Sequence, residues 1–208
     1  MSGVKFYVGT VCGNKDPENM NRVQVNLNTC GNKHPTDWIR CVTRLAGNGE
    51  GLSSIPNEDD EVLVAETESK ELIVIGRLWN ENNKPPKSGE NSSADFNGDG
   101  KNSLNFIKTK SGNKVIFDDT DGDEKVQIIV AKDAARIELK AKDKEIIFKC
   151  SKLSMKAKEE IVLSAKKVTL NAKDSIVMGA ENVTADSKTA KISASGSMSL
   201  KGSSIALN

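Results

Sequence analysis

The C-terminal part of the chain repeats a five-residue block at a spacing of seven or eight residues. In the stretch IVLSAKKVTLNAKDSIVMGA, each block has apolar residues at its first and third places and alanine at its fifth. The first places fall at residues 146, 153, 161, 168, 176, 183, 190, 198 and 205, and an irregular forerunner begins at Ile137. Self-similarity at so short a spacing indicates a repeat fold.

The spacing within each block predicts short strands and not a coiled coil. A coiled coil needs apolar residues three and four apart, whereas here they are two apart. Residues two apart point in nearly opposite directions on a helix but share one face of a strand. The second and fourth places are mostly Lys, Ser, Thr, Asn or Asp, with Ile147, Val162 and Val177 as exceptions. The two or three residues between blocks, often Lys, Asp, Ser or Gly, predict a corner.

One such chain cannot bury its blocks by itself. Burying a Val or Leu contributes roughly 1.5–3 kcal/mol, while ordering each backbone residue costs about 1–2 kcal/mol. A single-chain solenoid would have only about three coils, too few to stack well. We therefore expect a homotrimer wound into an intertwined triple-stranded β-helix over residues 107–208. At a strand spacing of about 4.8 Å, nine blocks span roughly 40–45 Å. The expected trimer core is Ile146, Phe148, Leu153, Met155, Ile161, Leu163, Val168, Leu170, Ile176, Met178, Ile192, Met198 and Leu200.

The N-terminal part has a different pattern and predicts an all-β barrel. Short β-branched runs at residues 4–11, 21–27, 38–42, 61–66 and 72–79 alternate with stretches rich in Gly, Asn, Pro and Asp. Five strands in about 80 residues, without a helical pattern, favour a five-stranded barrel of the oligonucleotide/oligosaccharide-binding (OB) type over residues 1–86. The polar segment 87–106 is then a linker.

The charge distribution argues against nucleic acid as a partner. The net charge is +1, but residues 1–102 carry 11 basic and 15 acidic residues, and residues 136–208 carry 14 and 8. The barrel also has four consecutive acidic residues, 58–61, whereas a polyanion needs a cationic surface. No apolar run reaches the length of a membrane-spanning helix, and the N-terminus lacks the pattern of a secretory signal. We expect synthesis in the cytoplasm.

Few residues suggest catalysis or metal binding. Cys12, Cys30, His34 and Cys41 could form a zinc set, but their spacing matches no metal clip, and the cysteines fit free buried thiols in a reducing compartment. A nucleophilic triad needs a positioned histidine base, and His34 is the only histidine. The segment from Asp95 to Gly100 resembles the start of a calcium loop, but Phe106 occupies the position of the required glutamate. We expect turns here and at 118–124, with no catalytic residue, metal or cofactor.

The motifs VGTVCGNKDPENMNRVQVNL, DWIRCVTRLAGNGEG, NEDDEVLVAE, IVIGRLWNENNKPP and IKTKSGNKVIFDDTDGDEKVQI occur in this order along the chain. Together they resemble the central spike proteins of contractile injection systems, namely phage baseplate assembly protein V and the C-terminal half of VgrG proteins of type VI secretion. The resemblance implies an OB barrel, a trimeric triple-stranded β-helix, attachment to a hub protein and passage through a target envelope.

Departures from the family pattern shape the expected partners. The chain starts directly at the barrel, so we expect the hub to be a separate protein. It lacks the His-x-His apex of iron-binding spikes and an inserted lysozyme domain, so we expect no iron and no peptidoglycan hydrolysis. Ile205 and Leu207 would form an apolar end capped by a PAAR-repeat tip protein. The alternative function is a receptor- or glycan-binding module on a fibrous trimeric stalk. The sequence does not distinguish a phage from a bacteriocin-like tail or a secretion system.

Overall fold

The computed structural model describes residues 3–29, 34–90 and 94–206. It divides into two compact units, Met1–Leu153 and Ser154–Asn208. The first unit contains all ten strands of the described chain, arranged in two five-stranded sheets. Apart from the strands it has two short 3₁₀ turns, Asp95–Asn97 and Ala131–Asp133.

The first sheet is formed by β1 (Lys5–Gly13), β2 (Gln24–Leu27), β3 (Arg40–Cys41), β4 (Glu61–Glu66) and β5 (Leu72–Leu78). The strand order is β2-β1-β4-β5-β3, with β3 parallel to β5 and the other pairs antiparallel. An antiparallel bridge between Val23 and Ile39 joins the ends of this sheet. The result is a closed ring of five strands, as expected for an OB barrel. All five predicted strands are present, and β4 has the predicted bounds.

The barrel has an aliphatic core built by alternation along its strands. Seven side chains are at most 7% exposed, and Tyr7, Leu27 and Ile55 pack against them. The seven are Val11, Val23, Val25, Ile39, Val62, Val64 and Val74. At Gly9 a Cβ atom would come within 2.5 Å of the Val25 side chain and 2.8 Å of the Asn26 carbonyl oxygen. Glycine therefore permits the close approach of β1 and β2.

The expectation that the cysteines are buried is wrong for Cys12. Val11 pairs with Val25 and Gly13 with Gln24, so Cys12 is the extra residue of a β-bulge and is exposed. A bulge redirects the side chain of the inserted residue, which the sequence pattern does not reveal. Cys150 is also exposed, at the end of an edge strand, while Cys41 is half-buried against the barrel core.

The second sheet is an antiparallel meander of β6 (Leu104–Lys108), β7 (Lys114–Asp118), β8 (Lys125–Ile129), β9 (Ala135–Lys140) and β10 (Glu145–Cys150). The turn predicted at 118–124 joins β7 to β8, and Gly122 adopts a φ of +73° there, a conformation that glycine favours. The sequence pattern does not predict this sheet within one chain. The winding of several chains expected from residue 107 onward stays a prediction.

The second unit consists of straight segments joined by regular bends. Between residues 151 and 206 the chain bends at 151, 158–159, 166, 173–174, 181, 188, 195–196 and 203. Each bend precedes the first place of a block by two or three residues, where the sequence predicts a corner. Every described residue of this unit is exposed, and none of these described residues pairs in a strand.

Candidate functional site

The residues predicted to form a trimer core are exposed in the single chain. Their exposed fractions range from 52% for Met198 to 80% for Ile192, and Leu170 in the middle of the series is 67% exposed. Ile205, predicted to contact a tip protein, is 53% exposed, while Leu207 lies outside the described residues. Apolar side chains at a regular spacing along an exposed chain are typical of a surface that is covered in an assembly.

The second sheet connects this series to the folded part of the chain. Ile146 and Phe148 occupy the first and third places of the first block and lie on β10, opposite Leu139 and Ile137 of β9. Both side chains point to the same face and are 62% and 59% exposed. Ile147, an exception to the polar second place, points to the opposite face and is half-buried there, paired with Glu138. The sheet therefore explains why this block carries three consecutive apolar residues.

The apolar face of the second sheet extends across all five strands. Pairing places Ile107 opposite Val115 and Phe117 opposite Val126, while Ile128 lies opposite Ile137. We call this surface the meander face; its members are Ile107, Val115, Phe117, Val126, Ile128, Ile137, Leu139, Ile146 and Phe148. Of these nine residues, the block pattern of the sequence predicts a functional role only for Ile146 and Phe148. The alternation in KVIF and KVQII around Asp121-Gly122 was the signal for the strands β7 and β8.

The other face of the same sheet, called the polar face below, carries the charged side chains that contact the linker, and it also buries Ile116 and Ile129. The Lys114 ammonium donates to the Ser88 carbonyl oxygen at 2.7 Å and to the Glu90 carboxylate at 2.8 Å. The Arg136 guanidinium lies 3.1 Å from the other oxygen of Glu90. Glu90 thus accepts from two strands, β7 and β9, and attaches the linker to the sheet.

A second polar contact on this face joins β8 to β9. The Gln127 amide donates to the Glu138 carboxylate at 2.7 Å, and both residues are buried. Burial opposes ionisation of Glu138, but the hydrogen bonds from Gln127 and Arg136 outweigh it and lower the pKa of this carboxyl group. Lys114, Arg136, Glu138 and Glu90 therefore form a network of paired charges on this face.

An ion pair also organises the loop between β1 and β2. The Asp16 carboxylate accepts hydrogen bonds from the backbone amides of Glu18, Met20 and Arg22 and a two-point contact from the Arg22 guanidinium. The Arg22 contact is the main cause that holds the pKa of Asp16 far below its usual range. This arrangement is structural, because every bond stays within the loop.

The residues weighed for zinc do not form a described cluster. Cys12 is exposed at the bulge, His34 is exposed in a loop, and Cys41 is half-buried on β3. Cys30 lies outside the described residues. Among the residues that the structure describes, no group of three or more His, Cys, Asp or Glu side chains could hold a metal ion.

The segment that resembles a calcium loop forms the predicted turns. The Asp95 carboxylate is buried and accepts from the Ser88 amide at 2.7 Å. The Asn97 side chain accepts from the Asn102 amide, and Asp99 accepts from the Lys101 amide. These oxygens stabilise local backbone turns, as Asn and Asp often do.

The acidic run of the barrel is likewise engaged in local contacts. Asp60 accepts from the Asn57 amide, and the Glu61 carboxylate accepts from the Asn80 side-chain amide at 2.6 Å.

In the described part of the chain, no helix is both long and apolar enough to cross a membrane.

Comparison with known proteins identifies the barrel. Residues 7–79 match the family model described as the type VI secretion system/phage-baseplate injector OB domain. The matched segment begins within β1 and ends one residue after β5, so it coincides with the five-stranded ring. No curated protein matches the chain. The match agrees with the resemblance found in the sequence motifs and supports a structural role in a baseplate. Residues 7–79 of this chain therefore form an OB domain of the type VI secretion system/phage-baseplate injector family.

Proposed function

We propose that the chain is the trimeric central spike of a contractile injection machine. In this role it joins a separate hub protein to a tip protein and leads the machine through the envelope of the target cell. The injector-type OB domain supports the baseplate location. The assembly and puncturing functions are supported by the C-terminal repeat.

The periodic bending of the repeat carries the proposal. The chain turns at every predicted corner, and each straight segment presents its first and third side chains without burying them. Three chains around one axis would let the exposed inner places of equivalent blocks meet, while the Lys-, Ser- and Thr-rich places face solvent. Backbone groups would pair between chains, because buried N–H and C=O groups require partners.

Rigidity is the physical property that such a spike requires. In the proposed trimer, separating one block from its neighbours breaks the strand pairing of all three chains together. The spike therefore resists local unfolding when it is pushed against an envelope. No residue of the chain acts as a nucleophile, acid or base in this mechanism, and no metal or cofactor takes part.

Two partners complete this proposal. The barrel would attach to the hub protein, and the exposed Ile205 with Leu207 would contact a PAAR-repeat tip protein. Co-expression of the chain with the PAAR protein of its own system, followed by pull-down, tests the second contact. A complex that is lost in Ile205→Lys is expected, and the absence of any complex would contradict the capping role.

The test of the main proposal is the mass and shape of the purified chain. Sedimentation equilibrium should give three times the chain mass of 22.4 kDa. Electron microscopy should show a narrow rod below a wider head. A monomer in solution would remove the proposal.

Deletion of the gene distinguishes the spike from the alternative receptor-binding function. Loss of a spike should prevent baseplate assembly, so that no complete particles form. Loss of a receptor-binding module should leave complete particles that do not adsorb.

A further inference from the structure

A trimer built from nearly equivalent blocks requires something that sets the register of its chains. The inner pairs Ile161/Leu163, Val168/Leu170 and Ile176/Met178 are similar in size and polarity. Sliding one chain by a block would exchange one pair for another, and cores tolerate such replacements at small cost. The blocks alone therefore discriminate weakly between the correct register and one displaced by seven or eight residues. This inference rests on the proposed trimer.

The meander face has the properties of a surface that is covered in the assembly. Six of its large side chains are between 41% and 70% exposed, namely Ile107, Phe117, Ile128, Leu139, Ile146 and Phe148. Single exposed apolar residues are common on proteins, but a continuous face across five strands indicates an interaction site.

The linker contacts the opposite face of this sheet. Lys114 and Arg136 hold Glu90 of the linker on the polar side, where Ser88 and Asp95 are also buried. The direction of the apolar face is thereby determined, since a sheet that turned over would break these ion pairs and bury unpaired charges.

Continuity with the repeat identifies the partner as further copies of the same chain. Ile137 and Leu139 hold the first and third places of the irregular forerunner, and Ile146 and Phe148 hold those of the first block. These are the places that face the other chains in our trimer. The meander face thus contains the forerunner and the first block, and the later blocks repeat the same first- and third-place pattern in the sequence.

Unlike the blocks, the meander face is not periodic. It carries two aromatic side chains, Phe117 and Phe148, whereas the sequence from residue 154 onward contains no Phe, Tyr or Trp. A chain displaced by one block would place these rings against side chains of different size. Packed interiors penalise such mismatches.

We propose that the meander faces of three chains pack against one another and set the register of the downstream blocks. The meander faces associate before the blocks pair or at the same time. The blocks then pair in the alignment that the meander faces have fixed. The interface is predicted to exclude solvent from Phe117 and Ile128.

The register is tested by cross-linking of the full-length chain. Trimers assembled from a mixture of ¹⁵N-labelled and unlabelled chains are treated with a short lysine cross-linker, and links between labelled and unlabelled peptides of residues 154–208 are mapped. The wild-type chain should give one set of interchain links. The double variant Phe117→Ser/Ile128→Ser should give at least a tenfold increase in links displaced by seven or eight residues, or lose the trimer. Phe96→Ser is the matched control, because Phe96 is an exposed aromatic residue outside the sheet.

A labelling experiment tests coverage of the face independently. In the assembled full-length chain, a maleimide should modify Phe117→Cys at least tenfold more slowly than Phe96→Cys, as read at each position by peptide mass spectrometry. If the wild type is a trimer but both positions react equally, or if the double variant keeps the wild-type links and trimer yield, the register function is wrong while the spike proposal stands. A monomeric wild-type chain overturns both.

Discussion

The barrel and the C-terminal repeat use the same aliphatic residues with opposite results. In the barrel, Val62 and Val64 alternate along β4, and both are fully buried. In the repeat, Val168 and Leu170 have the same two-residue spacing, and they are 53% and 67% exposed. The local pattern is equal, but β4 has two neighbouring strands from its own chain, whereas the described blocks from residue 153 onward have none.

The second sheet stands between these extremes. It pairs within one chain as the barrel does, yet it exposes its apolar face as the repeat does. Its polar face buries Ile116 and Ile129 beside the ion pairs that hold the linker, so the sheet has apolar side chains on both faces but buries those of only one face. This comparison shows that alternation predicts which side chains share a face, while the available partners decide which face is buried.

The largest expected effect comes from placing a charge inside the repeat. Leu170→Asp would bring three carboxylates to the proposed axis, and burying unpaired charges is prohibitive. Trimer dissociation should increase at least about 1000-fold, which corresponds to about 4 kcal/mol, as measured by sedimentation equilibrium. Thr169→Asp, at a second place, should leave the trimer intact. Equal trimer dissociation in the two variants would contradict the assignment of the third place to the interior and the second place to solvent.

A smaller and purely local effect is expected in the barrel. Val64→Ala removes the equivalent of two methyl groups from a fully buried position, which should lower the free energy of unfolding by about 2 kcal/mol. Val4→Ala, at a residue that is 53% exposed, should change it by less than about 0.5 kcal/mol. Denaturant unfolding followed by tryptophan fluorescence measures both. A loss of trimer at unchanged barrel stability in Val64→Ala would contradict the independence of the two regions.

A third effect concerns the loop between β1 and β2 and is expected to disappear only in strong acid. The pKa of Asp16 is far lower in the folded chain than the value of about 3.9 expected after unfolding. Its contribution is therefore complete above pH about 4 and is lost as the pH falls through the folded pKa. Asp16→Asn should destabilise the barrel less than Val64→Ala at pH 7, and the difference from the wild type should shrink in acid. The exposed Asp37→Asn is the control, and a pH-independent effect would show that the charge is not responsible.

The smallest effect is expected where the linker meets the second sheet. Glu90→Gln keeps the shape of the side chain but removes the charge shared by Lys114 and Arg136, which should cost about 1 kcal/mol at a partly exposed site. Amide hydrogen exchange should become faster in β7 and β9 and stay unchanged in the barrel. Glu81→Gln, at an exposed residue, should have no effect. Unchanged exchange in Glu90→Gln would mean that the linker does not stabilise the sheet.

Particular residues show where sequence reasoning succeeded. The runs of Val and Ile in the barrel, separated by Asn-, Gly- and Pro-rich turns, predicted all five strands because burial and turn chemistry agree there. The block spacing predicted every corner from residue 151 onward. The direction of Cys12 was missed because one inserted residue in β1 changes the alternation. The meander face was missed because its polar partner face depends on Glu90, which is distant from Lys114 and Arg136 in sequence.

Two properties of this protein are determined by its sequence alone, namely the two-residue alternation of its strands and the seven- to eight-residue spacing of its corners. Both arise from local backbone geometry and from the preference of apolar side chains to leave water. The tertiary structure decided which faces are covered. The Val23–Ile39 bridge closes the barrel around its valines, and the ion pairs of Glu90 turn the second sheet so that its apolar face points outward. Such contacts join residues far apart in the chain, and only the folded structure brings them together.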